Sequence, residues 1–233
     1  MTSALQEARE AYERHDWVRA YAAFSQAQAQ RSLAPDDLSA LADAAWWLGR
    51  TDETLTISTG CGTGHALNLM ARAYPASTFV GYDFDDGALE RVREEAAAYG
   101  LSNVSFESQD VAVLSSTPQF DAVFAFDAIH DQADPAGVLN RVRAALAEQG
   151  VFVMMDIKAS SFLEHNMSNP FAPMLYATST LHCLTVSLAY GGAGLGTVWG
   201  EELARQMLAD AGFRHIEVHD VPDEPLNILY VAR

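Results

Sequence analysis

An apolar run, Leu55-Thr56-Ile57-Ser58-Thr59, leads straight into Gly60-Cys61-Gly62-Thr63-Gly64, and a helical pattern follows. A strand that ends in closely spaced glycines and passes into a helix brings backbone N–H groups close to a ligand, because glycine has no Cβ to hold it away. This constrains the remainder of the chain to strand–helix alternation. Strands are predicted at TFVGYD, NVSFESQD, FDAVFAFD and VFVMMDIK, each after a helical segment, and HIEVHD and LNILYVAR close the chain as a hairpin-like pair. That rhythm predicts an α/β fold, a mostly parallel sheet with helices on both faces.

Two ligand classes compete for such a turn. A dinucleotide fingerprint requires G-x-G-x-x-G/A, whereas here the third glycine comes one residue early, with His65 next and Ala66 after it. The spacing favours S-adenosylmethionine. A glycine turn can also be a packing device alone, so the acids at later strand ends carry weight. Asp83 ends the second strand about 20 residues beyond the glycines, where a carboxylate can accept from both ribose hydroxyls. Asp110 ends the third and could accept from an adenine amino group, with Val111 offering a backbone donor and Phe84 an apolar wall. Either acid by itself could be a helix cap.

The segments TISTGCGTG, VGYDFDDGALERVREEA, VSFESQDV, FDAVFAFDAIHD and LAEQGVFVMMDI resemble the successive motifs of class I S-adenosylmethionine-dependent methyltransferases, over about residues 54 to 233. The resemblance implies a Rossmann-like seven-stranded sheet with its last strand antiparallel. It also implies cofactor contacts from Gly60, Cys61, Gly62, Gly64, Asp83, Phe84, Asp110, Val111 and Asp127. The run LYATSTLHCLTVSLAYGGAGLGTVWGEE is similar to a bacterial small-molecule group whose catalytic domain follows a winged-helix dimerisation domain; here a helical segment stands in that place. Ser58 departs from the family's usual acidic residue, which predicts a weaker hold on the cofactor's methionine portion.

Methyl transfer is an in-line displacement that needs alignment, exclusion of water and, for a poor nucleophile, a base. In this family, the residues after the fourth strand face the transferred methyl; here they are Asp127, Ala128, Ile129, His130 and Asp131. His130 alone among them ordinarily titrates near neutrality, which makes it the expected general base, with Asp131 orienting it or capping a helix. Residues 159–200 form an insertion expected to lie as a helical lid over the sheet's carboxyl edge, with glycines from 191 to 196 as its hinge. It offers Tyr176, His182 and Trp199, with Asp131, as pocket lining. His182 and Cys183 are adjacent on a helix and so do not face one another as a nucleophilic pair would.

With 14 Lys and Arg against 31 Asp and Glu, the chain carries a formal charge of −17. That field repels polyanions, so nucleic acid and anionic membrane are not expected as partners. DAIH at the fourth strand also differs from the Pro-Pro-Tyr motifs that amino-methylating nucleic-acid enzymes resemble. Two cysteines without ligand spacing indicate neither a disulfide framework nor a metal site, and a cytoplasmic location is expected. Residues 1–50 read as three helices whose wording, AREAYERHDWVRAYAAFSQA, resembles one tetratricopeptide repeat. One such unit cannot bury its own face, so it is expected to pack on residues 51–233 or on a second copy as a homodimer. The sequence thus predicts methylation of a small organic hydroxyl, amine or carboxyl. The alternatives are a cofactor-binding regulatory protein and an enzyme using the bound sulfonium for a non-methylating reaction.

Overall fold

The computed structural model describes residues 4–30, 55–59, 64–114, 119–222 and 224–233. Two helices come first, α1 (Ala4–Glu13) and α2 (Trp17–Gln30), joined at His15, whose φ of +56° makes the turn. They bury Ala8, Ala11, Ala20 and Phe24 against one another, small residues letting the helices approach while the Tyr12 ring meets Phe24 edge-on at 6.3 Å. The third expected helix, within 31–50, lies outside the described residues.

Seven strands and their helices follow: β1 (Leu55–Thr59), α3 (His65–Ala73), β2 (Thr78–Asp83), α4 (Asp86–Ala98), β3 (Val104–Ser108), β4 (Phe120–Phe126), α5 (Pro135–Ala145) and β5 (Leu146–Ile157). After the insertion come α9 (Gly200–Asp210), β6 (Ile216–Asp220) and β7 (Asn227–Ala232). Within the insertion are α6 (Leu163–Asn166), α7 (Ala172–Thr178), a π turn (Ser179–Cys183) and α8 (Leu184–Ala189). Aspartates set the helix starts. Asp85 accepts from the backbone N–H of Gly87 and Ala88 to open α4, and Asp134 accepts from Gly137 ahead of Pro135, whose fixed φ suits the first turn of α5.

The sheet order is β3-β2-β1-β4-β5-β7-β6. Strands β1 to β5 pair in parallel, and β7 runs antiparallel to both β5 and β6. Interior strands of such a sheet are buried on both faces, which is why FDAVFAF and VFVMM read as nearly unbroken apolar runs. One core, with Phe120, Val123, Phe152, Met154, Leu139, Leu208 and Tyr230, includes residues of α5 and α9. The other, Leu67, Phe79, Leu89, Val92 and Phe106, is built under α3 and α4. Strand β2 divides between them, Phe79 entering one and Tyr82 the other, as the two-residue strand period requires. From β1 the chain crosses to β2 and β3 on one side and to β4 and β5 on the other. This is the reversal at whose carboxyl ends open α/β sheets take up ligands.

Candidate active site

The acids expected to meet the cofactor stand at neighbouring strand ends. The Asp83 carbonyl accepts from Gln109 N–H at 2.9 Å, tying the end of β2 to the end of β3 and bringing Asp110 alongside. Asp83 Oδ1 accepts from Asp85 N–H at 2.9 Å, and the Asp110 carboxylate accepts from Ala112 N–H at 2.8 Å, so local backbone bonds orient both carboxylates. Phe84 is 69% exposed, unusual for so large an apolar ring, while Val111 is buried. An exposed ring following one strand-end carboxylate, with a second carboxylate at the neighbouring strand end, suits an adenosine: one face for the base, two acceptors for its polar edges. These residues fit the cofactor the glycine turn suggested. Of that turn, Gly60, Cys61 and Gly62 lie outside the described residues. Gly64 adopts φ +59° as the residue before α3, and the space where its Cβ would stand is filled by Val92 and Phe106. Its glycine identity is explained by packing.

Asp127 follows β4 with φ +49°, a conformation shared with His15 alone among the described residues other than glycine. Its N–H donates to the Met155 carbonyl at 2.9 Å, which holds the turn against β5. Solvent reaches the side chain, yet the surrounding chain desolvates the carboxyl, and nearby Asp156 and Asp131 outweigh His130. The result pushes the Asp127 carboxyl up to about 6.

His130 is only 3% exposed. Its Nδ1 is 2.8 Å from Asp156 Oδ1, and Asp156, at the carboxyl end of the apolar strand β5, is 1% exposed. Burial opposes charge on the imidazole, but the hydrogen bond to Asp156 and the charges of Asp156, Asp131 and Asp127 prevail and raise its pKa. On its other side, Nε2 lies 3.4 Å from Thr197 Oγ1 and 3.5 Å from Asp131 Oδ1. The residue expected to act as a base is thus enclosed, with both ring nitrogens turned to protein groups.

The insertion packs on this edge. Ser187 Oγ donates to the Gln132 carbonyl at 2.9 Å, and Ala193 N–H donates to the Ala133 carbonyl at 2.9 Å. Gly192 and Gly196, expected in a hinge, sit where a Cβ would run into Ala133 and Ser179, so these positions are close packings. Tyr176 is half-buried, its hydroxyl accepting from Asn166 Nδ2 at 3.0 Å. The π turn directs Cys183 inward, 4% exposed and against Thr197, and leaves His182 exposed. Trp199 is buried in the main core. A separate cleft of about 440 Å³ opens beyond the end of β5, lined by Lys158, Ser160, His165, Phe171 and Glu202 among others. Asp156 and Thr197 carried no sequence assignment; an aspartate within VFVMMDI is the one signal for the former, since a buried carboxylate demands a partner.

Residues 51–212 match a family described as a methyltransferase domain. The chain belongs to that family. Its domain is of the S-adenosylmethionine-dependent, Rossmann-like kind. It is 32% identical over 94 residues to a trans-aconitate 2-methyltransferase of Methylobacterium nodulans, a match covering 40% of this chain and 34% of that protein. It is 42% identical over 60 residues to a tRNA (guanine-N(7)-)-methyltransferase of Chloroflexus aurantiacus, covering 26% of this chain and 27% of that one. Among solved structures, the trans-methyltransferase CalH in complex with S-adenosylhomocysteine superposes with a TM-score of 0.60 at 19% identity, over 80% of this chain and 53% of that one. The match therefore spans about a third or less of these curated relatives' lengths. No described helix of this methyltransferase domain protein is long and apolar enough to cross a membrane.

Proposed function

We propose that the chain transfers a methyl group from S-adenosylmethionine to a small organic acceptor, at a hydroxyl, amine or carboxyl group. The observation that carries this reading is the set of side chains around the β1 crossover: Asp83, exposed Phe84 and Asp110 beyond β2 and β3, and Asp127 beyond β4. When bound, the cofactor supplies a methyl group on a positively charged sulfur. Asp83 accepts from the ribose hydroxyls, Asp110 and Val111 N–H meet the adenine edge, and Phe84 covers its face. Asp127 borders the transfer point and takes the proton of a hydroxyl or amine acceptor, whereas a carboxylate acceptor has none to lose. It is exposed, and its carboxyl at about 6 is poised for proton transfer near neutral pH. The expected base, His130, is enclosed instead and serves by holding the strand-end loop in place, with Asp131 beside it.

The substrate lies under residues 159–200, with Tyr176 on the half-buried side of that insertion. A small acceptor is favoured over tRNA because the charge of −17 opposes a polyanion. The relative whose name specifies trans-aconitate acts on a small acid. The α1–α2 pair is the proposed contact between two copies, in the cytoplasm. The test is incubation with methyl-labelled cofactor and a panel of small acids, phenols, amines and tRNA. Label on a small acceptor is expected, and label on tRNA alone overturns the reading. Asp127→Asn should lower kcat by about 10²- to 10⁴-fold with a smaller effect on cofactor affinity.

A further inference from the structure

We infer that His130, Asp131 and Cys183 form a binding site for a divalent cation of the zinc type, which joins the insertion to the sheet. His130 Nε2, an Asp131 carboxylate oxygen and Cys183 Sγ all lie within 4.8 Å of one another. They come from two places in the chain: the loop after β4, and the end of the π turn in the insertion.

The spacing of the imidazole and the Asp131 carboxylate is wider than that of a direct hydrogen bond. Nε2 is 3.5 Å from Asp131 Oδ1 and 3.4 Å from Thr197 Oγ1, both beyond the span of a good hydrogen bond, about 2.7–3.2 Å. Two ligands each about 2.1 Å from a tetrahedral ion stand about 3.4 Å apart. The Nε2–Oδ1 separation is that of co-ligands, and Cys183 Sγ stands within 4.8 Å of both atoms. Asp131 Oδ1 is buried and finds no hydrogen-bond partner among the described residues, a costly state for a carboxylate oxygen unless a cation meets it. Nitrogen, oxygen and sulfur together suit zinc; Thr197 touches the Cys183 thiol too closely to be a fellow ligand and borders the site instead.

The outer layer agrees. A ligating histidine usually gives its other ring N–H to a carboxylate, which fixes its tautomer, and Asp156 holds Nδ1 in that way at 2.8 Å. The site needs no redox partner. Three protein ligands and a buried setting make it a staple between the lid and the strand ends, independent of which molecule is methylated.

Cobalt(II) titration of the metal-free, full-length protein tests this. One equivalent should bind with a thiolate-to-cobalt absorption band. The band should vanish in Cys183→Ser and persist in Cys61→Ser, and cobalt affinity should fall about 10- to 100-fold in Asp156→Asn. Zinc should raise the melting temperature of the wild type, and a chelator should reverse that rise. Circular dichroism and a cooperative urea transition verify that each variant is folded. The inference is overturned if folded wild type binds neither cobalt nor zinc at micromolar concentration, or if the band follows Cys61.

Discussion

Gly64→Ala and Gly100→Ala place the same methyl group on two glycines with nearly the same backbone, φ +59° and φ +68°. An L side chain in the left-handed region costs roughly 1–2 kcal/mol at either position. At Gly100 nothing lies within 4 Å of the new Cβ, so that is the entire cost. At Gly64 the Cβ falls on Val92 Cγ2 and 2.9 Å from Phe106 Cε1. Val92 is fully buried and Phe106 is 7% exposed, so neither can swing aside. Overpacking of this kind adds about 1–3 kcal/mol, for a total of about 2–5 kcal/mol. For a chain of this size each kcal/mol moves the melting temperature by about 2–4 °C, so Gly64→Ala should melt about 4–20 °C low and Gly100→Ala about 2–8 °C low. Circular dichroism melts and urea midpoints on both variants measure the difference. Equal losses would refute the reasoning, because they would mean that the α3 entry does not press on α4 and β3 and that Gly64 is glycine for some other reason.

Asp83→Ala should weaken S-adenosylhomocysteine binding at least tenfold by calorimetry, while leaving the melting temperature of the free protein within a few degrees. Asp156→Ala strips a buried imidazole of its partner and should cost about 3–5 kcal/mol of stability, read from urea unfolding. Asn103→Ala should cost about 1–3 kcal/mol, since one amide group donates to the carbonyls of Ala71, Tyr74 and Ser77 and so closes the end of α3. Glu95 is held below the ordinary carboxylate range first by Asn68 and then by His65. A depressed acid contributes stability at neutral pH and loses it as pH falls through its folded value. Glu95→Gln should therefore melt below wild type at pH 7, with the gap closing in strong acid.

The strands were legible because they fall between helical periods: β4 and β5, inside the sheet, are nearly unbroken apolar runs, whereas β3, at the edge, alternates Val104 and Phe106 with polar residues. β5 starts earlier than its VFVMMDIK signature, at Leu146, because that residue pairs with Phe120 across an irregular register that only the neighbouring strand defines. Asp83 and Asp110 could be singled out since position along a parallel strand identifies its carboxyl end. Local pattern could not reveal that His130 meets Asp156, 26 residues away, or Thr197, 67 residues away. Such partners are created by the crossover of β4 and β5 and by the return of the insertion. Among the insertion's glycines, Gly192 and Gly196 have close neighbours and Gly191 has open space, a difference that sequence, which shows freedom of φ alone, does not reveal.

β7 occupies an internal slot between β5 and β6. While the chain is being synthesised, β6 therefore emerges before the strand that will hold it, and the far side of β5 stays an open edge until residue 232 is made. For that interval the nascent protein presents an unpaired strand with apolar Val151, Phe152 and Met154 beside it, the kind of surface that recruits chaperones or joins other chains. The parallel half of the sheet can assemble early, but the fold becomes safe from aggregation only with its last strand.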